Sequence, residues 1–284
     1  MIIWRDGDFI DGRGAVSIDD RGWLIGDALF ETILVERGAP AFLDRHLARM
    51  RNGCRALGID RDLYEDEIRA AIATLARKNA LSNRAACRLT ISRSGGPRGL
   101  APNASARPVL FVTLSAAASS PDFLRVIVSA RRRWTGASTN GFKCAGAYAE
   151  NILARAEAAA RGADEAIMLN EAGRVACAAS ANLFVVADGR LTTPALSEGA
   201  MPGVVRSILI EEAGALGIEC LEGLMTPGDL LRGVLLITNS IAGPVRSALD
   251  GAPGFSGGET VGHLIAAYER RLRSEFSSRT EGRA

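Results

Sequence analysis

The strand-type segments of this chain come in runs, and that order is its strongest constraint on fold. ETILVERG (31–38), ACRLTISR (86–93) and RPVLFVTLS (107–115) alternate or run apolar in the manner of strands. DFLRVIVSA (122–130) restarts the pattern. Short strands are then expected in EAIMLN, RVACAAS, NLFVVA and RLTTP, with a very apolar one in GVLLITNS (233–240). Doubly wound and barrel α/β chains place a helix after nearly every strand. This chain does not, so its class is α+β and neither Rossmann nor TIM. IIWRDGDFID opens the chain as two short strands around an Asp6-Gly7-Asp8 turn.

Helices fill the remaining periodic stretches. Leu43, Leu47, Met50, Cys54 and Leu57 share one face of a helix over 43–59, and a second runs from Leu63 to Lys78. Others are expected at 147–162, ending in Gly162; at 202–217, with Pro202 at its start; near 227–232; and from about Glu259 to Phe276. AAASSPD (116–122) has the small residues, Ser and Pro of a linker. It divides a smaller α+β domain (1–115) from a larger C-terminal one (123–284).

Composition excludes several functions. Five scattered Cys, with no CxxC, point to free thiols and a reducing, cytoplasmic protein. His46 and His263 are the only histidines, too few for a His-rich zinc site, and no metal is expected. No apolar run approaches a membrane span. A net charge of +2 gives no case for nucleic acid, and Arg131-Arg132-Arg133-Trp134 reads as a solvated strand edge.

One count is more pointed. The 34 basic residues are 32 Arg and 2 Lys. Lys can lose its proton and act as an amine nucleophile, which Arg cannot. Lys78 sits at a predicted helix end, where a cation is favourable in any case. Lys143 lies in STNGFKCAGAYAEN, among small and apolar residues that desolvate an amine and depress its pKa. Elsewhere, the helix start in LSEGAMPGVVRSILI leaves backbone N–H groups at Gly203, Val204 and Val205 for an anion or for water. Arg49 shares a helix face with His46 and suits a phosphate clamp, or simply solvent. Arg98, in the Gly/Pro loop 92–103, could meet a carboxylate.

These pieces occur in a known order: DDRGWLIGDALFETI (19–33), FLDRHLARM (42–50), Lys143, GADEAIMLNEAGRVACAASANLFVV (162–186), LSEGAMPGVVR (196–206) and LLITNS (235–240). From about residue 2 to 248 the chain resembles the fold-type IV pyridoxal-phosphate enzymes, the class IV aminotransferases. That family includes branched-chain and D-amino-acid aminotransferases and aminodeoxychorismate lyases. The resemblance implies a two-domain, D-amino-acid-aminotransferase-like fold with the cofactor between the domains, the lysine in the larger one, and a homodimer. It implies pyridoxal 5′-phosphate as cofactor, held as an aldimine on Lys143, and that lysine as the proton shuttle. Arg49, the backbone of Val204 and Val205, and Thr238-Asn239-Ser240 would hold the phosphate. Tyr148 would reach the cofactor's phenolic oxygen. Arg98 would meet the substrate carboxylate, with Phe30 and Glu31 at the pocket edge.

Two positions depart from the pattern. Relatives place a Glu five residues before the Asn of the SxNLF-like motif, where it keeps the cofactor's ring nitrogen protonated. Here that position is Cys177, counted back from Asn182. Val205 stands where relatives often have Thr. The implied activity is amino transfer between an amino acid and a 2-oxo acid. The alternatives are a lyase releasing pyruvate, and a protein of this fold whose turnover is weak or lost through Cys177.

Overall fold

A two-residue turn opens the chain. Asp6 and Gly7 both take positive φ, 47° and 104°, the mirror-image turn that suits right-twisted strands. It joins β1 (Ile2–Arg5) to β2 (Asp8–Asp11). There follow α1 (Arg21–Ile25), β3 (Ala28–Glu36), β4 (Ala39–Pro40), α2 (Leu43–Leu57), α3 (Glu65–Lys78), β5 (Arg84–Ser92) and β6 (Val109–Ala116). This computed structural model describes residues 1–81, 83–95, 99–102, 107–252 and 258–277.

The first unit comprises Met1–Ser119, Gly141–Tyr148 and the chain from Glu275. Its sheet has the order β2-β1-β6-β5-β3-β4 and is antiparallel throughout. One sheet face carries Leu29, Ile33, Leu89, Ile91, Leu110 and Val112. It packs on Leu47 and Met50 of α2 and on Ile68, Ile72 and Leu75 of α3. Each such side chain, fully buried, contributes about 1.5–3 kcal/mol. α2 stops at Gly58, whose φ of 60° a left-handed cap requires. α3 has Glu65, Asp66 and Glu67 in its first turn and Arg77 and Lys78 in its last, matching the helix dipole at both ends.

The second unit comprises Ser120–Asn140 and Ala149–Ser274. It holds β7 (Phe123–Arg133), α4 (Ala149–Ala160), β8 (Glu165–Asn170), β9 (Val175–Ala178), β10 (Asn182–Ala187), β11 (Arg190–Pro194), α5 (Val204–Ala215), β12 (Cys220–Gly223), β13 (Val234–Asn239) and β14 (Gly243–Leu249), with α6 (Glu259–Ser277) up to Ser274. Its sheet order is β12-β11-β10-β13-β14-β7-β8-β9, with parallel pairs at β11/β12, β14/β7 and β7/β8. β8 is buried along its whole length. Ile167 and Leu169 join one core with Leu183, Leu235 and Ile237, while Ala166 and Met168 join another with Cys177 and Ala154 of α4. A strand covered on both faces has a continuous apolar run, as Ala166, Ile167, Met168 and Leu169 form between Glu165 and Asn170.

Some elements differ from expectation. α1 and β14 have no counterpart in the sequence reading. α5 begins at Val204 with Gly203 as its cap, so Pro202 precedes the helix. The unit boundary at Ser119/Ser120 falls inside the expected linker. Residues 141–148, expected in the C-terminal domain with Lys143, pack in the first unit. The cause is backbone pairing: Phe30 N donates to Lys143 O (3.0 Å), and Cys144 bridges Leu29.

Candidate functional site

In the first unit, β3 holds the lysine segment and supplies the floor for its side chain. Lys143 Nζ lies 5.2 Å from the centroid of the Phe30 ring and 6.0 Å from that of Tyr148. The two rings are tilted against each other at 5.0 Å. Half-buried over these rings, the amine loses hydration, and its pKa falls to about 8. Burial is the main cause, and the charges of Arg49 and Arg88 push the same way, against Glu31. An amine that gains and loses a proton near neutrality serves as both nucleophile and general base.

On the other face of β3 lies a buried ionic cluster. Arg49 Nε donates to Glu31 Oε1 (2.8 Å) and Arg49 Nη2 to Glu31 Oε2 (2.6 Å). His46 Nδ1 lies 2.7 Å from Glu31 Oε2. Burial alone would raise the Glu31 carboxyl, but the hydrogen bonds and charge of Arg49, then those of His46, bring it down to about 2. An ionised carboxylate only accepts, so His46 donates from Nδ1. Burial pushes the His46 pKa down, which keeps the ring neutral. Glu31 is therefore a fully buried anchor and not a residue of the pocket edge.

Arg88 was not foreseen. From β5 it stacks its guanidinium over Phe30, 3.4 Å from the ring centroid. An Arg in the middle of the ACRLTISR strand, on the face shared with Phe30, was the available signal. Arg98 lies outside the described residues.

The second unit brings together the other expected residues. α5 starts behind Gly203 with no side chain capping it, so the first-turn amides of Val204 and Val205 point outward from the helix. Asn182 Nδ2 holds the preceding loop by donating to Met201 O (2.8 Å). A Cβ on Gly203 would sit 1.9 Å from Asn182 Oδ1, so only glycine fits there. Thr238 is the cross-strand partner of Asn182. Its Oγ1 is buried and has no hydrogen-bond partner among the described residues. Asn239 Oδ1 accepts from Ile241 N (3.0 Å) and Ala242 N (2.8 Å), which shapes the turn after Thr238 and leads the chain past Ser240. Cys177, on β9 opposite Met168, is buried. Burial pushes its thiol up to about 11, with Arg133 opposing and Glu165 reinforcing. It is a neutral thiol at physiological pH.

Comparison with known proteins adds a family. The family model described as amino-transferase class IV matches residues 28–248. A protein described as a putative branched-chain-amino-acid aminotransferase of Methanocaldococcus jannaschii is 31% identical over 234 residues, 81% of each chain. The aminodeoxychorismate lyase of Bacillus subtilis is 27% identical, covering 96% of this chain and 95% of its own. A branched-chain amino acid aminotransferase from T.th., solved with N-(5′-phosphopyridoxyl)-L-glutamate, superposes with a TM-score of 0.86. It is 25% identical and covers 99% of this chain and 95% of its own.

Proposed function

The chain belongs to the class IV aminotransferases, and from that premise we propose that it holds pyridoxal 5′-phosphate on Lys143 and moves an amino group between an amino acid and a 2-oxo acid. The carrying observation is Lys143, one of two lysines among 34 basic residues, resting on two aromatic rings with its pKa lowered to about 8. The other residues fit the cofactor. Thr238 Oγ1 is a buried hydroxyl with no partner among the described residues, and the α5 amides have no side-chain cap. Both are donors suited to a phosphate. The phosphopyridoxyl adduct bound by the T.th. relative supports the same choice.

Bound, pyridoxal phosphate would supply an aldehyde for the lysine amine and a ring that draws electrons from a substrate carbon. Lys143 carries the cofactor and passes a proton to and from the substrate's α-carbon. Thr238, Asn239, Ser240 and the Val204 and Val205 amides hold the phosphate, with Arg49 as a fixed donor. Tyr148 hydrogen-bonds the phenolic oxygen. Arg88 and Phe30 face the lysine, and the guanidinium suits a substrate carboxylate. Cys177 stands where a carboxylate would keep the ring nitrogen protonated. A neutral thiol does this poorly, so slow turnover follows.

The chain acts as a homodimer in this reading. Ile18, Trp23, Leu24 and Ile25 expose apolar surface close together in sequence, with Trp23 68% exposed. Free cysteines at 54, 87, 144, 177 and 220 support a reducing, cytoplasmic setting in this reading. No described helix is long and apolar enough to cross a membrane. A second reading, a lyase releasing pyruvate, is favoured by the Bacillus subtilis relative, aligned over nearly the whole chain.

The test is borohydride reduction of the protein with pyridoxal phosphate, peptide mapping, and a screen of amino donors with and without a 2-oxo acid. Label at Lys143 and amino transfer to the acceptor support the proposal. Pyruvate released without an acceptor assigns the lyase. A protein unlabelled at Lys143 overturns both.

A further inference from the structure

Among the described residues, the carboxylate that acts on Lys143 is Glu31, and its hydrogen bonds go to Arg49 and His46. β3 turns Phe30 toward the amine and Glu31 to the opposite face, while its backbone holds Lys143 through the Phe30 N–H. α2 contributes His46 and Arg49, β5 contributes Arg88, and Tyr148 follows the lysine five residues on. Two guanidiniums act on the amine and a single carboxylate opposes them. That carboxylate is tied to one of the two guanidiniums by a bidentate pair, with His46 on its remaining side.

We propose that Glu31 is a positioning residue for the Lys143 amine: it holds the Arg49 guanidinium in one plane and cancels its charge, and His46 braces the carboxylate. This rests on the reading that Lys143 is the reactive amine. A buried ion pair adds little net stability over well-packed apolar side chains. What this pair supplies is a fixed donor plane on Arg49 without a free positive charge beside the lysine. Removal of Glu31 takes away the carboxylate that opposes Arg49 and Arg88 at the amine. The amine then binds its proton more weakly and spends less of its cycle as the acid. Removal of Glu31 and Arg49 together has the opposite sign, because Arg49 acts on the amine more strongly than Glu31 does.

The experiment is competitive acetylation of the full chain, free of cofactor, with acetic anhydride from neutral to strongly alkaline pH. The peptides of Lys143 and Lys78 are quantified separately. Wild-type Lys143 is expected to titrate at about 8. In Glu31→Gln it titrates lower by about half a unit or more, roughly a threefold rise in neutral amine at fixed pH. In the double variant Glu31→Gln/Arg49→Met it titrates above wild type. An unchanged or raised value in folded Glu31→Gln overturns the proposal. Should Glu31→Gln fail to fold, the double variant, which buries no orphan charge, decides: an unchanged or lowered value overturns it. The labelling uses no cofactor, so it stands apart from the borohydride map. A chain that fails that map but shows these shifts loses the proposed function and keeps only the coupling of Glu31 to the Lys143 amine.

Discussion

Glu31 in the first unit and Thr238 in the second are almost equally buried, 1% and 2% exposed, and they are opposites. Glu31 is ionised and saturated, with both oxygens occupied by Arg49 and one shared with His46. Thr238 is neutral, and its hydroxyl is unmatched among the described residues. The contrast extends to their neighbours. The first unit surrounds its lysine with two guanidiniums and a carboxylate, whereas the second offers backbone amides, an amide side chain and a neutral thiol. A buried charge must be paired where it stands, so the first unit completes its network internally. A neutral donor left unmatched is tolerable at about 1–3 kcal/mol, and a ligand that accepts from it recovers that cost. In the proposed function the first unit thus supplies the reactive amine, and the second supplies neutral donors for binding.

The largest expected effect is on reactivity. Lys143→Ala should reduce amino transfer by about a thousandfold or more and remove the borohydride label, measured by half-reaction rates and peptide mapping. Retained turnover would break the assignment of chemistry to the first unit.

Glu31→Gln comes next. It leaves buried Arg49 without its anion and should cost about 3–5 kcal/mol, read as a lowered midpoint in urea. Acid does the same more gradually. The folded pKa of Glu31 is depressed to about 2 from 4.5, so the stability it provides is complete above about 4.5. That stability, about 3 kcal/mol, is lost as pH falls through about 2. Hydrogen exchange should show β3 and α2 loosening over that range, and protection that stays constant would contradict it.

Cys177→Glu tests the neutrality of the second unit. It should speed the amino-donor half-reaction about tenfold, or about 1.4 kcal/mol off the barrier, while lowering stability because a carboxylate is buried with Arg133 as its nearby cation. No gain in rate would count against a ring-nitrogen role at this position. Thr238→Val is the smallest change. It should leave the melting temperature unaltered or slightly raised, because the hydroxyl bonds to nothing among the described residues, and weaken pyridoxal phosphate binding by about 1 kcal/mol, measured by cofactor titration.

Much of this site could be read from residues close together in the chain. Lys143 stood out through the scarcity of Lys, and its small, apolar sequence neighbours pointed to a desolvated amine, whereas Phe30, Arg49 and Arg88 reach it only through the fold. Gly203 and the α5 start were legible because Pro-Gly before an apolar run is a local helix-entry signal. The shared face of His46 and Arg49 followed from helical spacing. What escaped depends on distant pairings. Glu31 lies far from Arg49 in the chain, and only the packing of α2 under the sheet joins them. Arg88 meets Phe30 through strand register, and only folding leaves the hydroxyl of Thr238, already a candidate in the sequence, without a partner among the described residues.

The sequence by itself determined the strand-rich class and the helix faces, because periodicity is a local property; composition singled out Lys143 as a candidate, and the family resemblance marked Cys177 as a departure. The tertiary structure decided which unit owns the lysine, which carboxylate compensates which guanidinium, and which buried hydroxyl is left unmatched. Those outcomes rest on register and burial, and a chain acquires register and burial only by folding against itself.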